Sequence, residues 1–180
     1  MGDGSRVRNY YSGFRTEKFE EQAPEDKPVS PPHPTIDFVE GQASAFDKDC
    51  ADCPAQYAGG EGTPRNKWER VRTKLSALDT SKLHYVKLPE NHIVIDFDIP
   101  DEQGQKSFER NLAEASKWPA TYAEVSKSGC GIHLHYIYSG DPARLSRIYD
   151  DHIEVKVFTG NSSLRRKLSK CNNLPIATIS

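Results

Sequence analysis

Asp96 and Asp98 stand two residues apart at the end of the run His92-Ile-Val-Ile-Asp96-Phe-Asp98. On a strand, residues at that spacing project from the same face. Aspartate is depleted in strands, so a pair in so apolar a run calls for a chemical reason. A third acid, Glu154, lies in a second alternating run, residues 152–158, and His133 and His135 alternate in a third, residues 131–138. Carboxylates brought together repel one another unless cations lie among them. Hard oxygen donors suit magnesium or manganese, so the chemistry to expect is that of a divalent-metal site.

Alternation also fixes which residues can meet. Ile93, Ile95 and Phe97 share one parity in the first run; Ile132, Leu134 and Tyr136 do so in the third, and Ile153, Val155 and Val157 in the second. If these apolar sets face a core, the opposite face receives Asp96, Asp98, His133, His135, Glu154 and Lys156. Neighbouring strands lie about 4.8 Å apart, close enough for the acids of two adjacent strands to share cations.

The intervening segments supply the connecting elements. Phe108, Leu112 and Ala115 give residues 101–117 the period of a helix. Residues 120–126 read as a strand, joined to the next by the turn Lys127-Ser128-Gly129. Asp141-Pro142 is a helix cap followed by proline, opening a short helix with Leu145 and Ile148. The order β-α-β-β-α-β predicts an α+β fold, a ferredoxin-like or RNA-recognition-motif-like core. Upstream, Thr63-Pro64 and the stripe Trp68, Val71, Leu75 and Leu78 predict a further helix with a solvated basic face. Residues 1–60 read as an N-terminal arm and extension, partly flexible and rich in proline at its start, and residues 61–180 as the catalytic domain, part of a longer protein.

These residues resemble the archaeo-eukaryotic primase superfamily in its phage and plasmid primase-polymerase form. Ile93-Val-Ile-Asp96-Phe-Asp98 resembles the first motif of that family, Ser128-Gly-Cys-Gly131-Ile-His133 the second, and Ile153-Glu154-Val155 the third, followed by Phe158-Thr-Gly-Asn161. The resemblance implies a nucleotidyltransferase that makes or extends primers in DNA replication. It implies two divalent metals, Mg2+ or Mn2+, on Asp96, Asp98 and Glu154, and contact of His133 with the nucleotide triphosphate. Ser128 and Lys127, in the turn before His133, offer a hydroxyl, an amine and backbone N–H groups to phosphate. The implied partners are a single-stranded DNA template, nucleoside triphosphates and a helicase domain or protein. Arg165 and Arg166, in a basic segment after the third motif, are expected to hold DNA phosphates.

Two other functions share parts of this pattern. His133-Leu-His135 is the His-hydrophobe-His triplet of rolling-circle nicking endonucleases, for which Tyr149 would be the nucleophile. A non-catalytic RNA-recognition module would instead place aromatic residues on the open sheet face. Cys50-Ala-Asp-Cys53 has the spacing of half a zinc site, but no second pair follows, so zinc is not expected and the four cysteines read as free thiols. The net charge of -2 neither requires nor excludes nucleic acid, because the basic residues are clustered. No apolar run of membrane-spanning length occurs, and the chain reads as an intracellular, cytoplasmic protein.

Overall fold

The structure, a computed structural model of the chain, describes residues 34–180. Among them are eleven strands and two α-helices, so the protein is built mainly from antiparallel sheet. The strands are β1 (Val39–Glu40), β2 (Ala55–Tyr57), β3 (His84–Val86), β4 (His92–Phe97), β5 (Ala123–Val125), β6 (Ile132–Tyr138), β7 (Ile148–Asp150), β8 (Ile153–Val157), β9 (Leu164–Arg166), β10 (Lys170–Cys171) and β11 (Ala177–Ile179). The helices are α1 (Ala45–Asp49) and α2 (Phe108–Ala115).

The main sheet has eight strands in the order β1-β10-β5-β6-β4-β8-β7, and β11 runs parallel to the second half of β6. The alternating runs make its centre. β4 pairs with β6 on one side and β8 on the other, both antiparallel. The apolar parity forms a continuous core: Ile93, Ile95, Phe97, Ile132, Leu134, Tyr136, Ile153 and Val155 pack with Trp118 and, from α2, Ala115. Ser107 caps α2 by accepting from Arg110 N at 3.3 Å.

This architecture corrects the expected ferredoxin-like class. A second helix over 141–149 does not form. Asp141 caps a single 3-10 turn, Pro142–Arg144, by accepting from Ala143 N, and then Ile148–Asp150 joins the sheet as an edge strand beside β8. The β-branched and aromatic pair Ile148-Tyr149 suits that pleated edge better than a helix interior. The helix expected over 63–78 is also absent, reduced to single turns at Trp68–Arg70 and Leu75–Ala77. Its backbone groups bond across to an earlier segment instead: Leu75 N donates to Cys53 O at 2.9 Å and Ser76 N to Ala51 O at 3.0 Å. Tertiary pairing overrode the local period.

Nor is the second face of the sheet fully open. A three-stranded sheet, β2-β3-β9, together with α1, covers part of it. Phe46, Leu75, Val86, Val94, Tyr122 and Leu164 form a second core between the layers. Residues 39–57, assigned from sequence to the extension, thus supply two strands and a helix of this same fold. The arm up to residue 33 lies outside the described residues.

Candidate functional site

Cross-strand register collects the predicted residues into a row. Glu124 of β5 pairs with His133 of β6, His133 with Asp96 of β4, and Asp96 with Glu154 of β8. Four polar side chains from four adjacent strands therefore stand side by side on the face turned away from the first core. Burial falls along the row: Glu124 and His133 are buried, Asp96 is half-buried and Glu154 is exposed.

Asp96 is the hinge of the row. His133 Nε2 lies 3.2 Å from Asp96 Oδ1, and Lys156 Nζ lies 3.1 Å from Oδ2. Burial alone would raise this carboxyl. The hydrogen bond and charge of His133, together with Lys156, outweigh it and hold the group down at about 2. Asp96 is thus a carboxylate at neutral pH. Lys156, which had no assigned role in the sequence, is its second partner.

The other predicted residues lie at the same end of the sheet. Asp98 follows β4 directly and is exposed, its N–H donating to His152 O at 2.9 Å. The turn Lys127–Gly131 joins β5 to β6 beside it, with Lys127 and Ser128 exposed. Ser126 Oγ accepts from Gly131 N at 3.1 Å and lies 3.1 Å from Ser128 Oγ. Gly131 is required by close approach: a Cβ there would stand 2.7 Å from Ser126 Oγ and 3.0 Å from Phe97 O. Gly129 has φ +83°, a conformation glycine adopts without strain.

Asn111 ties these parts together. Its Oδ1 accepts from Ile99 N at 2.7 Å and its Nδ2 donates to Cys130 O at 3.0 Å. One buried side chain on α2 therefore fixes both the segment after Asp98 and the turn holding Ser128. Sequence reasoning missed it. The only signal was a polar residue among the inward positions of the helix.

Beneath the row runs a buried polar network, also unforeseen. Arg166, 2% exposed, donates from Nε to Glu124 Oε1 at 2.7 Å and from Nη2 to Oε2 at 3.0 Å. Its Nη1 donates to Asp47 Oδ1 at 2.7 Å, and its guanidinium lies 4.3 Å from the Phe46 ring centroid. Tyr122 O–H donates to Glu124 Oε2 at 2.6 Å. The assignment of Arg166 to DNA phosphates is therefore corrected: the side chain joins the two sheets from inside, where no phosphate can reach it. Arg165, next along β9, is exposed.

His135 belongs to this network rather than to the surface. It is wholly buried, its Nδ1 lies 2.9 Å from His92 Nε2, and burial keeps its pKa well below the ordinary histidine range. Its Nε2 lies 3.8 Å from Glu124 Oε1, beyond hydrogen-bond range, and has no hydrogen-bond partner. Among the described residues, Glu124, His133 and His135 bring ligand atoms all within 4.8 Å of one another, a group that could hold a metal ion. The carboxylates Asp96, Asp98 and Glu154 share one end of the sheet without converging to that degree.

Cys50, Cys53, Cys130 and Cys171 are all free. Tyr149 is buried in the first core against Trp118, with ring centroids 5.2 Å apart. Among the described residues no helix is long and apolar enough to cross a membrane. No protein-family model matches the chain, and no curated protein matches it.

Proposed function

We propose that the protein is a nucleotidyltransferase, a primase or DNA polymerase that extends a strand on a single-stranded DNA template. The observation that carries this reading is the in-register row Glu154–Asp96–His133 with Asp98 and the Ser128 turn at the same sheet end. The donor set fits a hard divalent cation, because Asp96 is held ionised while Asp98 and Glu154 are exposed beside it. Asp96, Asp98 and Glu154 would hold Mg2+ or Mn2+. Such ions supply activation of the attacking 3′-hydroxyl and neutralisation of the leaving pyrophosphate.

The chain's own residues divide the remaining work. Lys127 and Ser128 offer an ammonium, a hydroxyl and turn amides to a triphosphate. His133, held by Asp96, presents its ring at the boundary between the exposed row and the buried network. Lys156, 3.1 Å from Asp96 Oδ2, balances the Asp96 charge and offers an ammonium beside the row. Phosphoryl transfer needs little more from a protein than such positioning and charge.

The nicking reading fits less well, since His135 and Tyr149 are both buried. A base-stacking module fits less well too, because the exposed end of the row carries acids rather than rings. The test is incubation with single-stranded DNA, labelled nucleotides and manganese. Wild type should give template-dependent products and Asp96→Asn less than a few per cent of them, while circular dichroism shows the variant still folded. Equal product from both would refute the assignment.

A further inference from the structure

Loss of the expected helix over 63–78 leaves a differently shaped basic surface. Lys67 is extended (φ -63°, ψ 141°), and one turn follows at Trp68–Arg70. Pro64, Arg65, Asn66, Lys67, Trp68, Glu69 and Asn161 line a groove of about 550 Å³. The loop is held rather than loose: Gln56 Nε2 donates to Asn66 O at 3.0 Å, and Asn66 N donates to Gln56 Oε1 at 2.8 Å. Tyr85 O–H also donates to Gly62 O.

Arg165 reaches this loop from β9. A Cβ on Gly62 would stand 3.0 Å from Arg165 Nη2, so the guanidinium lies against the loop backbone. Arg65, Lys67, Arg70 and Arg72 of residues 61–72 and Arg165 beside Gly62 are exposed, as are the acids Glu61 and Glu69 of the same segment. Five cations against two acids give a local excess of three positive charges in a chain whose net charge is -2. Lys67, Arg70 and Arg165 form no ion pair among the described residues. Trp68 is half-buried and makes no ring contact with another aromatic among those residues.

We propose that this groove binds single-stranded nucleic acid, with Trp68 as a stacking platform and Lys67, Arg70 and Arg165 on the phosphates. The proposal rests on the nucleotidyltransferase reading for the identity of the strand as template. A rigid basic groove with one accessible indole is what a sequence-tolerant single-strand site requires, since every base presents a π-face. The loop between β8 and β9 supplies Asn161, so one wall of the groove follows in the chain from the strand that carries Glu154 and Lys156.

The experiment is anisotropy of a fluorescent oligothymidylate titrated with the full chain over a range of salt. Trp68→Ala should weaken binding roughly 5- to 150-fold, the effect of one stacked base. Lys67→Ala with Arg165→Ala should flatten the log–log salt slope by about 1.4, some 0.7 per phosphate contact. The protein has two tryptophans, and Trp118 is buried, so quenching by the oligonucleotide should vanish in Trp68→Phe. Melting curves establish that the variants are folded, and the charge reversals Lys67→Glu and Arg165→Glu give a second test at exposed positions.

Unchanged affinity and slope in these variants would overturn the groove, as would failure of wild type to bind at low salt. Equal affinity for the matching duplex would overturn the stacking role. Asp96→Asn should bind the oligonucleotide like wild type. Binding through the groove without any nucleotide incorporation would instead sink the enzyme reading and leave the groove standing.

Discussion

Replacing Arg166 with methionine separates the two roles this residue can be given. The guanidinium is 2% exposed and makes a two-pronged pair with Glu124, itself 2% exposed, as well as a bond to Asp47. Methionine keeps much of the stem volume over Phe46 but leaves Glu124 facing Tyr122 and the stretched contact to His135. Removing one partner of a buried pair costs about 3–5 kcal/mol, because the surviving charge is stranded. At roughly 2–4 °C per kcal/mol for a chain of this length, the melting temperature should fall by about 6–20 °C.

The pH dependence gives the sign. Burial pushes the Glu124 carboxyl up, but the Arg166 charge outweighs it and holds the group at about 2, below its ordinary 4.5. A depressed carboxyl contributes stability that is present above its unfolded value and lost as pH falls through the folded one. The wild type should therefore lose this contribution between pH 4.5 and 2. In Arg166→Met only Tyr122 and His135 still oppose burial, so Glu124 takes up a proton more readily and its stability cost grows as pH rises. The gap between the two proteins should be wide at pH 7 and narrow in acid. Adding Glu124→Gln should recover part of the loss at neutral pH. A cost below about 1 kcal/mol, or weaker DNA binding with no change in melting, would refute the structural role and restore the phosphate contact.

His133→Ala should raise the nucleotide KM by roughly one to two orders of magnitude, the worth of a charge-assisted hydrogen bond, whereas His135→Ala should act on stability, seen in urea unfolding, because its ring is fully buried on His92. Gly131→Ala should destabilise by roughly 1–3 kcal/mol in the same assay, since its new methyl meets Ser126 Oγ and Phe97 O. Cys53 should alkylate first when peptides are mapped after brief iodoacetamide treatment at pH 7: a hydrogen bond from Cys50 lowers its thiol to about 7, while the same contact and burial raise Cys50.

What could be read from the sequence and what could not follows from the range of each interaction. Strand parity is local, and the apolar sets on β4, β6 and β8 do face one core while Asp96, His133 and Glu154 share the other side. Helix signals were weaker evidence because a cap and a first-turn proline specify only a start. At Asp141-Pro142 the start is real, yet the edge beside β8 claims the next residues. At 63–78 the edge offered by residues 51–55 does the same. The assumption that the second face is open failed at longer range. Its cover is built from residues 44–57, 84–86 and 164–166, and the side chain that joins them, Arg166, pairs with Glu124 some 42 positions away.

That distance also explains why Arg165 and Arg166 looked alike. Adjacent residues on a strand point to opposite faces, so one of the two had to turn inward once β9 lay over the main sheet. The inward one could be an arginine only because Glu124 and Asp47 wait there, since an unpaired buried charge is prohibitively costly. The outward one is then left over Gly62, beside the basic loop. A single alternation thus divides the pair between the scaffold beneath the acidic row and the surface proposed to hold the strand.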